Sequence, residues 1–184
     1  MAALIKPWQV LGSELVFEHR WYRLRRDRVR LPSGEELDDY FVSERPDAVL
    51  IFCLTADEQV VLVRQYKHGA ADVFVELPGG VIDPGETDPV AAARRELLEE
   101  TGYAADELDR VLNVSDNPTK DTNLLHFFLA RNARRVAAQH LDATENIEVL
   151  TVPLAELEQW VLGGRIRVAG SVALCLLALR RLGR

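Results

Sequence analysis

Apolar and polar positions along this chain form short runs whose character changes from the N-terminus onward. In Leu11–Phe17 and Trp21–Leu31 apolar residues are interspersed with polar ones, and the turn formers Pro32, Ser33 and Gly34 lead into Leu37–Val42. This pattern predicts a β-meander. Ala48–Leu54 and Val60–Val63 are near-continuous apolar runs on either side of Ala56-Asp57-Glu58, as expected of strands covered on both faces. Phe74–Leu77, Leu108–Val114, Leu124–Ala130 and Ile147–Val152 read as further strands. Pro153 opens a helix that stops at Gly163-Gly164, and a last helix covers Val168–Leu182. Strands grouped around helices predict an α/β protein: an α/β/α sandwich with a mixed sheet and an N-terminal antiparallel β extension. The expected boundaries are residues 1–45 for the extension and 46–184 for the domain that follows. No repeat, low-complexity tract or linker interrupts them.

One further helix has unusually clear ends. Asp88 suits the N-cap, Pro89 the first helical position, and Gly102 the left-handed residue that stops a helix. Glu96, Glu99 and Glu100 fall at i, i+3 and i+4, on one face, whereas Val90, Ala93, Leu97 and Thr101 mark the side to bury. Like charges at this spacing repel by roughly 0.2–0.5 kcal/mol per pair. Glu99 and Glu100 also occupy the last turn, where the helix dipole disfavours anions by typically ~0.3–1 kcal/mol each. A divalent cation removes both penalties, and carboxylates with carbonyl oxygens suit Mg²⁺ or Mn²⁺. A solvated acidic face is the plainer alternative, and the glycine-rich loop just upstream argues against it.

The chain has 184 residues, 48% hydrophobic and 28% charged, enough for one domain with a substantial core. Its formal net charge of −7 argues against a general nucleic-acid or anionic-membrane binder. Arg20–Arg30 mixes aromatic and basic residues, and an alternating strand with a charged face is the better reading of it. The apolar tract Val168–Leu179 is too short for a membrane span of ~20 residues. No signal peptide is evident at the N-terminus. Cys53 and Cys175 lie in apolar runs with no metal-ligand spacing, as reduced core residues of a cytoplasmic protein would.

The stretch from Gly80 to Tyr103 resembles the Nudix box. Gly80 opens it, Glu86 follows, and Arg95, Glu96, Leu97, Glu99, Glu100, Gly102 and Tyr103 complete it. Eight residues separate Glu86 from Arg95, where the box has seven, and the extra residue falls before the helix cap. An insertion there leaves the spacing of the helical acids intact. The resemblance implies the Nudix fold over nearly the whole chain. It also implies hydrolysis within a pyrophosphate, with Mg²⁺ (or Mn²⁺) held by Glu96, Glu99, Glu100 and a backbone carbonyl at Gly80. Arg95 becomes an orienting residue that holds the acids in place.

Within the family the chain is most similar to the ADP-ribose pyrophosphatases. Val63–Gly69 resembles the strand end that precedes their box, with Lys67 at a phosphate-contacting position and Arg64 beside it. Pro118, fifteen residues beyond Tyr103, matches a proline that marks this branch. The segment around Ala143–Leu157 is similar to the loop and strand that supply the base, making Glu145 the first candidate and Glu148 the second. Val81, beside Gly80, is expected against substrate. The N-terminal strands resemble an extension exchanged between subunits of a homodimer, from which Trp8 or Trp21 would stack on the nucleobase. His68 and His126 carry no spacing that requires a role. The expected substrate is ADP-ribose or a related nucleoside diphosphate sugar, cut to a nucleoside monophosphate and a sugar phosphate. GDP-mannose, dinucleoside polyphosphates, coenzyme A, or sensing of a nucleotide sugar without hydrolysis are the alternatives.

Overall fold

The structure is a computed structural model that describes residues 5–184. Contacts divide the chain into two compact units. One holds the chain up to Pro46 together with Ser115–Asn123, and the other holds Asp47–Val114 and Leu124–Arg184.

In the first unit, β1 (Gln9–His19), β2 (Tyr22–Arg30) and β3 (Glu36–Glu44) form an antiparallel sheet in the order β1-β2-β3. Arginines on its strands face acids across the ladder: Arg23 pairs with Glu18 and Glu44, Arg26 with Glu14, and Arg30 with Glu36. Arg25 meets Glu44 at 2.8 Å and the buried Asp27 at 2.8 Å. Burial alone would raise the Asp27 carboxyl, but hydrogen bonds from Arg25 and Ser13 hold it below the ordinary range. These four arginines thus find acid partners within the sheet itself. The loop containing Pro118 packs here: Ser43 N donates to Lys120 O at 2.7 Å and Tyr40 Oη to Thr119 O at 2.6 Å.

The second unit is built from β4 (Ala48–Thr55), β5 (Gln59–Lys67), β6 (Asp72–Glu76), α1 (Pro89–Thr101), β7 (Tyr103–Ala104), β8 (Glu107–Ser115), β9 (Leu124–Arg135), β10 (Ile147–Pro153), α2 (Leu154–Leu162) and α3 (Ala169–Arg181). The sheet runs β10-β5-β4-β9-β7, with β6 on β5 and β8 on β9. It is mixed, because β4 and β9 are parallel whereas β4–β5, β5–β10 and β5–β6 are antiparallel. The unbroken apolar runs have a direct cause. Along β4, Val49, Ile51 and Cys53 face α1, while Phe52 and Leu54 pack with α2 and α3, so both sides are dry. Leu62 and Phe127 join the α2/α3 layer, and Val61 and Phe128 the α1 layer.

The expected α/β/α sandwich and N-terminal antiparallel sheet are present. Two strands run further than their apolar runs suggested. β5 continues to Lys67 because its ladder with β6 and β10 outlasts the buried stretch, and β9 continues to Arg135, where it pairs with the two-residue β7. The apolar C-terminal tract forms α3, and no helix among the described residues is long and apolar enough to cross a membrane. Cys53 and Cys175 are buried free thiols, and burial pushes both up to about 12, far from reactive thiolates.

The stop of α1 is tightly built. Gly102 has φ +73°, and a Cβ there would lie 2.3 Å from Ala137 O. Gly102→Ala is therefore expected to destabilise the fold by at least ~1–2 kcal/mol for the left-handed backbone alone, with the carbonyl clash added. Chemical denaturation of the variant beside the parent measures this, and an unchanged midpoint would contradict it.

Candidate active site

α1 forms as its ends dictate. Asp88 Oδ1 accepts from Val90 N at 2.9 Å, Pro89 takes the first turn, and Gly102 N closes onto Leu98 O at 2.8 Å. Ala92, Ala93, Leu97 and Thr101 fill the buried side, with Val90 only partly covered. The acidic face is less wet than its sequence suggests. Glu96 is only 8% exposed and Glu100 only 4%, whereas Glu99 remains accessible.

Those acids line a cleft of about 370 Å³ together with Gln65, Lys67, Gly79, Gly80, Val81, Asp83, Arg95, His140, Asp142 and Glu145. Six carboxylates (Asp83, Glu96, Glu99, Glu100, Asp142 and Glu145) therefore face two cations, Lys67 and Arg95. Arg95 is the hub. Its Nη1 donates to Glu96 at 2.8 Å and Glu99 at 3.1 Å, and its Nη2 to Glu86 at 3.0 Å and the Val81 carbonyl at 3.2 Å. Burial acts to lower this guanidinium, but the hydrogen bonds it donates to its acids prevail and hold it above its ordinary value. The extra residue of the box is absorbed in the loop ahead of Asp88, since Glu86 still reaches Arg95. A Cβ on Gly80 would stand 2.6 Å from the Glu96 carboxylate oxygens and would push that side chain aside.

Among the described residues, Glu100 has no cationic partner within ion-pair distance. Its carboxylate accepts from Gly79 N at 2.8 Å. Burial pushes it up to about 8, with Glu96 and Glu145 adding repulsion against the Gly79 hydrogen bond and the Lys67 charge. Glu96 is raised as well, first by burial and then by Glu99 and Glu145, against Arg95. Hard oxygen donors carrying surplus negative charge, partly desolvated and drawn against a glycine backbone, fit a divalent cation. The donors that fit are the Glu96, Glu99 and Glu100 carboxylates and the Gly80 carbonyl. That carbonyl also accepts from Val49 N at 2.8 Å, leaving one lone pair free. No group of three acidic, imidazole or thiolate side chains among the described residues stands as a preformed cage. Arg95 and Gly79 hold the acids instead.

Glu145 enters the cleft from the loop between β9 and β10, where its carboxylate accepts from Asp142 N at 3.0 Å. Glu148 does not enter it. Glu148 is the cross-strand partner of Arg64 and ion-pairs with it on the exposed side of the β5–β10 ladder. Strand alternation explains both departures: Gln65 and Lys67 turn toward the cleft, so Arg64 turns away from it. The second candidate for the base and the arginine expected to help Lys67 are thus bound to each other. Lys67 meets the buried Glu76 at 2.9 Å, and Gln65 Nε2 bonds the same carboxylate oxygen at 3.0 Å. Val81 lies at the cleft wall, half exposed. Trp8 and Trp21 belong to the N-terminal unit, Trp8 edge-on to Tyr40 and Trp21 68% exposed beneath Arg20. His126 is a structural residue between Asp47 at 3.0 Å and Asn113 at 3.1 Å. Glu76, His140 and Asp142 escaped the sequence reading. Only the nearness of His140 and Asp142 to Glu145 in the chain could have pointed to them.

The Glu100 shift has a signed consequence. Its carboxyl titrates near 4.5 when unfolded and at about 8 when folded, so the folded state binds the extra proton. The stabilising protonated form is fully present below the unfolded value, and the contribution is lost as pH rises through about 8. With a chelator present, the parent is expected to lose stability relative to Glu100→Gln between pH 5 and 8.5. Added Mg²⁺ or Mn²⁺ is expected to restore it by mass action. Thermal melts of both proteins across that range test this, and parallel curves would refute it.

A model described as the NUDIX domain matches residues 44–168, and one described as the nucleoside diphosphate sugar hydrolase N-terminal domain matches residues 8–43. The chain is 30% identical to the ADP-ribose pyrophosphatase of Bacillus subtilis (strain 168), over 80% of each chain. It is 34% identical to the GDP-mannose pyrophosphatase of Klebsiella pneumoniae subsp. pneumoniae, over 88% of this chain and 87% of that one. A crystal structure of an ADP compounds hydrolase superposes with a TM-score of 0.84 at 25% identity, covering 98% of both chains. A domain match across most of the sequence thus coincides with a cleft in which Glu86 and Arg95 still meet and the helical acids converge, and on that ground the chain belongs to the Nudix hydrolase family.

Proposed function

We propose that this Nudix enzyme hydrolyses the pyrophosphate of ADP-ribose or a related nucleoside diphosphate sugar, with Mg²⁺ or Mn²⁺ as its cofactor. The observation that carries the reading is the convergence of Glu96, Glu99, Glu100 and Glu145 on one cleft from two separate segments. A bound divalent cation neutralises phosphate oxygens and lowers the pKa of the attacking water. The chain's own residues do the rest. Glu96, Glu99 and Glu100, with the Gly80 carbonyl, would hold the cation, while Arg95 fixes Glu96 and Glu99 through its 2.8 and 3.1 Å contacts. Lys67, at the cleft wall, meets a phosphate as a point charge. Water adds to one phosphorus, its proton passes to the Glu145 carboxylate, and the bridging P–O bond breaks. The products are a nucleoside monophosphate and a sugar phosphate.

GDP-mannose is the second reading, favoured by the 34% identity to a pyrophosphatase of that name. A sensor that binds without cutting is disfavoured, because every box acid is in place. The exposed apolar residues of the N-terminal sheet and its first turn, Val10, Val16, Phe17 and Trp21 among them, support a homodimer formed through these strands. Trp8 or Trp21 would then stack on the nucleobase. The buried reduced thiols accord with a cytoplasmic protein.

A panel of nucleotide sugars with Mg²⁺, scored for released monophosphate, tests the substrate; ADP-ribose is expected to lead, and no turnover of any member would refute hydrolysis. Glu100→Gln is expected to lower kcat by orders of magnitude while the protein stays folded by circular dichroism. Glu145→Gln is expected to lower kcat by roughly 10²–10⁴-fold, the usual worth of a general base, with little change in KM. An active Glu100→Gln protein would remove the cation site, and an unchanged kcat in Glu145→Gln would remove the base.

A further inference from the structure

The segment leading into the Glu145 loop is fastened to the last turn of α1. Gly102 O accepts from Val136 N at 2.8 Å and from Ala137 N at 3.2 Å, and Glu99 O accepts from His140 N at 2.9 Å. Helix ends leave carbonyls without intrahelical partners, and this strap satisfies them. One bond in the strap comes from a side chain. Gln139 Nε2 donates to Glu100 O at 2.6 Å and also to Ile147 O at 3.0 Å. Glu100 contributes its carboxylate to the cleft, and Ile147 is the buried first residue of β10.

These two bonds use both hydrogens of the Gln139 amide, so the side chain has one orientation and closes one interval. The residues between Gln139 and Ile147 form the loop that carries Glu145. Inside it, Asp142 and Glu145 close a turn through Glu145 N to Asp142 O at 2.9 Å and Asp142 N to the Glu145 carboxylate at 3.0 Å. With the turn fixed within the loop and the loop's two ends fixed to each other, the Glu145 carboxylate is held relative to the acids on α1. A base must come within ~3 Å of its water, and a 1 Å misplacement can cost about 10²-fold.

We propose that Gln139 is a positioning residue for hydrolysis, clamping both ends of the loop to the helix that bears the carboxylates and so setting Glu145 over them. The inference rests on the reading of Glu145 as the base. Gln139 makes no contact with the reacting atoms and acts through that loop. Leucine at this position keeps the bulk and removes both donors. A shorter amide keeps the chemistry but does not span the two carbonyls.

The test is a double-mutant cycle on Gln139→Leu and Glu145→Gln, with steady-state kinetics on ADP-ribose and Mn²⁺ affinity measured by titration. In the parent background Gln139→Leu is expected to lower kcat about 10- to 100-fold, with KM and Mn²⁺ affinity near parent values. In the Glu145→Gln background the same change is expected to leave kcat within about twofold, because a base that is absent cannot be misplaced. Should Gln139→Leu fail to fold, Gln139→Asn is read in the same cycle. Equal losses in both backgrounds, an unchanged kcat in the parent, or a loss traced to weaker Mn²⁺ binding would each overturn the clamp. An unchanged kcat in Glu145→Gln alone would overturn it by a different route, by removing the base.

Discussion

The structure turns on the cost of burying carboxylates at the wrong end of a helix. Glu96 and Glu100 are nearly withdrawn from water in the C-terminal half of α1, where neither the dipole nor their mutual repulsion favours them. A fold selected only for stability would not place them there. Arg95 offsets part of the cost by binding Glu96 and Glu99 together, and the Gly79 amide offsets a little more at Glu100. The remainder is left as a surplus of negative charge facing the cleft, which a hard divalent ion is suited to neutralise.

Around that turn the fold is arranged to resist movement. The sandwich presses α1 against β4 through Ala92, Ala93 and Leu97, and the strap from Val136 to His140 occupies the carbonyls past its last acid. β5 is held on one edge by β10 and on the other by β4 and β6, so Gln65 and Lys67 project into the cleft from a strand with little freedom to shift. Glu145 is carried, with His140 and Asp142, by a loop between strands, which is why the anchoring of that loop matters.

Much of this was legible in the sequence because it is local. The caps of α1, the i, i+3, i+4 placement of its acids and the doubly apolar strands all follow from short-range spacing, and the architecture follows from their order. What was not legible depends on pairing across the sheet. Nothing in the sequence near Arg64 announces Glu148 as its partner, since their register is set by a ladder joining segments far apart in the chain. Glu76 likewise looks like any strand-end glutamate until β5 brings Lys67 and Gln65 against it. The burial of Glu96 and Glu100 was invisible for the same reason: helical spacing tells which residues share a face, and packing alone tells whether that face is dry.

The loop ahead of Asp88 shows how the box can change length without losing its ion pair. Its extra residue precedes the capped helix, Glu86 reaches Arg95 regardless, and the acids keep their offsets. A change of length placed upstream of the cap therefore leaves those offsets untouched. A description of the box as a capped helix with fixed acid positions, tethered by one flexible ion pair, would accommodate relatives that a rigid residue count passes over.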